Sequence, residues 1–198
     1  ATPELRTLVG PPGPSLWNLQ GMDRGWRDYP EGMDFLAAGS PNRPWKAFQT
    51  GVYLDLFREH GVFDGSQELH VLDAACGIGR LMLPLLEQGH RVLGIDACRP
   101  SLAAAWKHIE TASSNSTDLS ARAQLRWADV RSEQLPTEVF DRVLAHDLLC
   151  YVAEPARLLA RLVSSLSPGE LFIGSVEAWP GAADSWPETP PSVDICTA

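Results

Sequence analysis

The run Val71-Leu72-Asp73-Ala74-Ala75-Cys76-Gly77-Ile78-Gly79-Arg80 sets a carboxylate, two glycines and a guanidinium in one short stretch. Gly77 and Gly79 lack Cβ, so a ligand can lie against the backbone there. A helix after such a turn offers unpaired N–H groups. The acid at Asp73 would repel a pyrophosphate but suits a cationic ligand with a free amino group. Two phosphate readings fail on residue type. The dinucleotide fingerprint needs a third glycine, and Met82 stands in its place; a P-loop needs a Gly-Lys-Ser/Thr end, which is absent. A purely structural reading leaves Asp73 capping the turn.

Other ionisable groups end apolar runs in the same way. Asp96 closes Gly94-Ile95-Asp96, and Asp129 lies in Ala128-Asp129-Val130. His146 and Asp147 directly follow the run 140–145, Tyr151 lies a turn further on, and Glu177 ends the run 171–176. An imidazole with an ordinary pKa near 6.5 is a useful base at neutral pH. Asp147 either orients His146, binds an amine or caps the next helix. Arg80 either meets a ligand carboxylate or is solvated. Asp141, before its strand at the opposite edge, is assigned to structure. His60, His70, His90 and His108 have no partner pattern and read as surface or structural groups.

These residues need a scaffold that brings run ends together. Short β-rich runs at 69–73, 91–95, 124–128, 140–145 and 171–176 alternate with helical stretches at 81–88, 100–111 and 155–166. Such alternation predicts an α/β three-layer sandwich, Rossmann-like, with a mostly parallel central sheet. Its right-handed crossovers place the loops after the strands along one edge. A further helix is expected over 47–60, with Phe48, Val52, Leu56 and Phe57 on one face. Residues 1–46 hold seven of the 16 prolines together with Trp17, Trp26 and Trp45, and read as an irregular arm or lid. The core spans 47–178. The tail 179–198 allows at most one short strand, about 192–196, so the C-terminal strands are expected to be short or missing.

The stretch from Asp73 to Gly79 resembles motif I, D/E-x-G-x-G-x-G, of class I S-adenosylmethionine-dependent methyltransferases. Asp73, Ala75, Gly77 and Gly79 fall on its positions; Ala75 departs from the usual glycine and is expected only to narrow the turn slightly. Asp96, the Ala128–Val130 segment, Phe140-Asp141-Arg142-Val143 and Leu166-Ser167-Pro168-Gly169-Glu170-Leu171 resemble later family segments, in order, over roughly 69–178. The resemblance implies S-adenosylmethionine as cofactor, S-adenosylhomocysteine as product, and methyl transfer to a small molecule on oxygen or nitrogen. It implies cofactor contacts at Asp73, Ala75, Cys76, Gly77, Gly79, Arg80, Asp96, Ala97, Asp129, Val130 and His146. Asp96 would take the ribose hydroxyls and Asp129 the adenine amine. His146, Asp147 and Tyr151 are the catalytic candidates. Trp17, Trp26, Tyr29, Trp45 and Glu177 are candidates to line the acceptor pocket, each with plain packing as the alternative.

Composition narrows the partners. The 198 residues are 44% hydrophobic and 21% charged, with a formal charge of −9, which argues against nucleic acid. No apolar run approaches membrane-span length. The N-terminus resembles neither a signal nor a transit peptide, so a cytoplasmic location is expected. Cys76, Cys98, Cys150 and Cys196 show no metal spacing and read as buried thiols; no metal is expected. Asn115-Ser116-Thr117 reads as loop chemistry. The family usually continues past strand five with a helix and an antiparallel strand pair. Without them strand five would be an exposed edge, open to a homodimer or partner chain. Three other readings stay open: a cofactor-binding homologue without catalysis or with a regulatory role, a methyltransferase for peptide, protein or nucleic acid, and a nicotinamide oxidoreductase.

Overall fold

A computed structural model describes residues 6–7, 19–65, 67–113, 118–131, 135–149, 152, 154–175 and 195–197. In chain order the elements are β1 (Arg6–Thr7), α1 (Leu19–Asp28), α2 (Pro30–Met33), α3 (Arg43–Glu59), β2 (His70–Ala74), α4 (Met82–Glu87), β3 (Arg91–Asp96), α5 (Arg99–Ser113), a short 3-10 turn at Leu119–Arg122, β4 (Ala123–Trp127), β5 (Phe140–Ala145), α6 (Pro155–Val163), β6 (Leu166–Gly174) and β7 (Ile195–Thr197). The sheet order is β1-β4-β3-β2-β5-β6-β7. All neighbours are parallel except β6 and β7. The α/β sandwich read from the sequence is therefore present. Its order reverses between β2 and β5, which fixes the ligand crevice at their carboxyl ends.

Period-2 alternation builds the two outer layers. On β2, Val71 faces a core with Tyr53, Phe57, Leu85, Leu102 and Ile109, under α3, α4 and α5. Leu72 and Ala74 face the other side, with Leu93, Val143, Leu158 and Leu162 under α6. Strands buried on both faces read as nearly continuous apolar runs, and this is why they were legible in the sequence.

Three expectations need correction. Residues 19–28 and 30–33 are helical, so the arm is irregular only in part; Pro30 sits in the first turn of α2, where its missing N–H costs nothing. Helix α3 buries Tyr53 and Phe57, whereas Phe48 is 58% exposed and stacks on Trp45. Strand β6 is covered at its outer edge by the chain's own β7, with Ile173 opposite Ile195 and Leu171 opposite Thr197. The pairing covers Leu171 to Ile173, and β7 is the outer strand of the sheet.

Away from the crevice, the polar groups are structural. The Asp141 carboxylate accepts from the His70 N–H at 2.7 Å. His90 is buried between Val62 O at 2.6 Å and the Leu69 N–H at 3.3 Å. Arg142 pairs with Glu170 across β5 and β6. Cys76 and Cys98 are buried. Among the described residues no helix is long and apolar enough to cross a membrane.

Candidate active site

The turn after β2 is held in left-handed backbone, with φ of 64° at Ala75, 53° at Gly77 and 76° at Gly79. The two glycines are required for different reasons. A Cβ on Gly79 would lie 3.1 Å from the Ala105 Cβ, so that position lets α5 approach. A Cβ on Gly77 would meet nothing within 4 Å, which leaves a bare backbone facing open space. Ala75 keeps the glycine conformation instead of narrowing the turn. The cost is backbone strain, about 1 kcal/mol for an L-residue at such φ.

Asp96, at the end of β3, braces this turn. Its Oδ2 accepts the Gly77 N–H at 2.7 Å and its Oδ1 the Cys98 N–H at 2.8 Å. Both readings of Asp96 are thus compatible: it caps the start of α5, and each carboxylate oxygen keeps a second lone pair for a ligand hydroxyl. Burial raises its pKa, and the backbone donors oppose that. Asp73 is 2% exposed, and no described residue donates a hydrogen bond to it. Burial pushes its pKa up to about 7; Arg80 pulls it down and Asp96 adds to the rise. A buried carboxylate with no donor among the described residues is a candidate seat for a cation.

The remaining cofactor-side candidates separate. Asp129 is gripped by Arg131, with Nε to Oδ1 at 2.7 Å and Nη2 to Oδ2 at 2.5 Å, and its Oδ1 also accepts the Arg131 N–H. Val130 and the Cys76 thiol pack into the two cores. The Ala97 carbonyl accepts the Trp127 Nε1–H at 2.9 Å, and Arg99 lies over the Trp127 ring. Arg80 is not solvated. It is 8% exposed, and its Nη1 donates to Lys46 O at 3.1 Å and Thr50 Oγ1 at 2.7 Å.

Across the switch point, His146 and Asp147 leave β5 together. The His146 Nδ1 lies 2.7 Å from the Tyr53 hydroxyl and 2.9 Å from Ser175 Oγ. Its Nε2 is 3.0 Å from Asp147 Oδ2. Asp147 is itself in left-handed backbone, at φ 51°. Its Oδ1 accepts the Ser175 hydroxyl at 2.9 Å, and Lys46 Nζ lies 3.6 Å from its Oδ2. Burial lowers the His146 pKa against the pull of Asp147. Burial would raise that of Asp147, but His146, Ser175 and Lys46 together bring it down to about 2. The pair is therefore a neutral imidazole beside an ionised carboxylate.

Sequence reasoning missed Lys46, Thr50, Tyr53 and Ser175. The first three follow helical spacing with Phe57, a polar stripe running into an apolar one, and that spacing was the available signal. Of the acceptor-pocket candidates, Tyr29 and Trp45 are 72% and 48% exposed. Trp26 donates to Ser101 Oγ at 2.8 Å and lines a cavity of about 350 Å³ with Arg27, Arg99 and Pro100. None of the three has a hydrogen bond or ring contact with His146 or Asp73. Trp17, Tyr151, Glu177 and the Asn115–Thr117 sequon lie outside the described residues.

A family model described as a methyltransferase domain matches residues 72–174, just over half the chain. The chain belongs to that family, the class I S-adenosylmethionine-dependent methyltransferases, and its switch-point topology and glycine turn agree with it. A ubiquinone biosynthesis O-methyltransferase of Rhodopseudomonas palustris (strain BisB18) is 30% identical over 106 residues, 53% of this chain and 38% of that protein. The chain thus spans under half the length of the curated relatives it matches. A glycopeptide N-methyltransferase structure is similar at 28% identity and TM-score 0.51, covering 67% of this chain and 56% of that one. A magnesium protoporphyrin IX methyltransferase from Synechocystis PCC 6803, with S-adenosylmethionine bound, has the same fold at 17% identity and TM-score 0.61, covering 84% and 80%.

Proposed function

We propose that this chain binds S-adenosylmethionine at the β2–β3 rim and transfers its methyl group to an oxygen or nitrogen of a small molecule. The observation that carries the reading is the buried Asp73 carboxylate beside the open Gly77 turn, with Asp96 bracing that turn from the next strand. The set fits the methyl donor: a buried carboxylate with no donor among the described residues for the ammonium, bare backbone beneath the chain, and spare lone pairs on Asp96 for the ribose. The donor supplies an electrophilic methyl on a sulfonium with a good leaving group. The chain supplies alignment and exclusion of water.

Asp129 is the adenine candidate only if Arg131 releases it or shares it. On the acceptor side His146, neutral through burial, takes a proton from the acceptor, and Asp147 steadies the imidazolium that results. Oxygen is the favoured acceptor atom, in keeping with the ubiquinone O-methyltransferase relatives; the glycopeptide N-methyltransferase keeps nitrogen in view. The acidic surface argues against nucleic acid. A cofactor binder without turnover is the second reading. It is favoured by the engagement of His146 with Tyr53, Ser175 and Asp147.

Calorimetry with S-adenosylmethionine and S-adenosylhomocysteine tests the first half. Transfer of a labelled methyl group to a panel of phenols, catechols and amines tests the second. Binding of neither compound contradicts the proposal; binding without transfer selects the second reading.

A further inference from the structure

Helix α3 sends three polar side chains, at helical spacing, into the crevice. Lys46 meets Asp147, Thr50 meets Arg80, and Tyr53 meets His146. The last contact carries a consequence for the imidazole. The Ser175 hydroxyl has one proton and two strong acceptors beside it, Asp147 Oδ1 and His146 Nδ1, both at 2.9 Å, and it is also hydrogen-bonded to the Tyr53 hydroxyl. Asp147 is an anion, so the proton goes to the carboxylate. The Tyr53 phenol can then donate to Nδ1 at 2.7 Å or to Ser175, and the imidazole nitrogen is the more basic acceptor. Tyr53 is 2% exposed, and burial raises its pKa, so the phenol keeps its proton.

The opposite assignment is unfavourable. With the proton on Nδ1, the bare lone pair of Nε2 would lie 3.0 Å from the Asp147 carboxylate oxygen, in a buried place. With the proton on Nε2, the same contact is attractive, and Nδ1 has a donor in Tyr53. The edge-on packing of the two rings, with centroids 4.6 Å apart, holds this pairing.

We propose that Tyr53 is a positioning residue, which fixes His146 as the neutral Nε2–H tautomer by donating to its Nδ1. This tautomer does not depend on the reading of His146 as a base given above. The charged groups facing the imidazole are Asp147 on its own loop, Lys46 on α3 and Arg80 after β2. Tyr53 adds a hydrogen bond to the neutral form, which disfavours protonation.

The test uses the full chain with nitrogen-15 labelled histidine. At neutral pH the wild type is expected to give a His146 spectrum with Nε2 protonated and Nδ1 bare. In Tyr53→Phe the His146 pKa is expected to rise by about 0.7 of a pH unit, the equivalent of one lost hydrogen bond. S-adenosylhomocysteine affinity is expected to stay within about twofold, since the one hydrogen bond lost at the imidazole runs to His146 and not to Asp73. A wild-type Nδ1–H spectrum, or a His146 titration unchanged by Tyr53→Phe, overturns the proposal. If Tyr53→Phe fails to fold, the wild-type tautomer decides. Failure of both proteins to bind S-adenosylhomocysteine would instead count against the function, and the tautomer would still be read.

Discussion

The two halves of the crevice are made differently. On the cofactor side, the key groups sit within a few residues of one another or one strand apart: Asp73, the turn to Gly79, and Asp96. Most of their bonds run to backbone, as in Gly77 N–H to Asp96. On the acceptor side, Tyr53, His146 and Ser175 come from α3, the end of β5 and the end of β6, and their bonds run between side chains. Backbone-built sites are fixed by local sequence, and side-chain-built sites by tertiary packing. The first half is conformationally determined before a ligand arrives; the second depends on where α3 docks.

Breaking the cofactor half should have the largest effect. Asp73→Asn is expected to lower S-adenosylhomocysteine affinity about a hundredfold, as for loss of one partner in a buried charge pair. It should also stabilise the ligand-free protein at pH 8. The folded pKa of about 7 lies above the ordinary 3.8, so the folded state binds the extra proton between those values. Stability from this group is therefore greatest at low pH and falls as pH rises to about 7. Removing the charge should raise the Tm at pH 8 by about 3 °C. A lower Tm with unchanged affinity would remove Asp73 from the site.

Asp96→Ala comes next. It strips acceptors from Gly77 and Cys98, and should cost about 2 kcal/mol of stability along with about tenfold in affinity, read by denaturant melts and calorimetry. Loss of stability with full affinity would leave Asp96 as a cap alone. Arg131→Ala sharpens the boundary of the cofactor half. If Asp129 serves the adenine, freeing it from the ion pair should tighten binding about threefold. Weaker binding would place Arg131, not Asp129, at the ligand. The smallest effect is at Ala75. Ala75→Gly should relieve the positive φ and stabilise the fold by about 0.5–1 kcal/mol, measured as a shift in denaturation midpoint.

The same contrast explains what could be read from the chain. Strands β2 to β6 and their helices were legible because apolar runs and glycine or proline punctuation are local signals. Asp73, Gly77 and Asp96 were legible because a turn needs its residues in sequence. Residues 19–33 were misread because proline and tryptophan content says little about a helix entered at Pro30. Phe48 was misjudged because α3 has two apolar stripes, and only docking chooses between them. Ser175 carries no signal of its own; it matters through Asp147 and His146, nearly thirty residues away.

The most direct test of the cofactor site is a calorimetric titration of the wild-type chain with S-adenosylhomocysteine from pH 5.5 to 7.5. The account predicts that affinity rises with pH, approaching about tenfold per unit below 7, as the ammonium group displaces the proton held by Asp73. It also predicts that Asp73→Asn flattens this dependence. A wild-type affinity independent of pH across that range, or no binding at all, would contradict it.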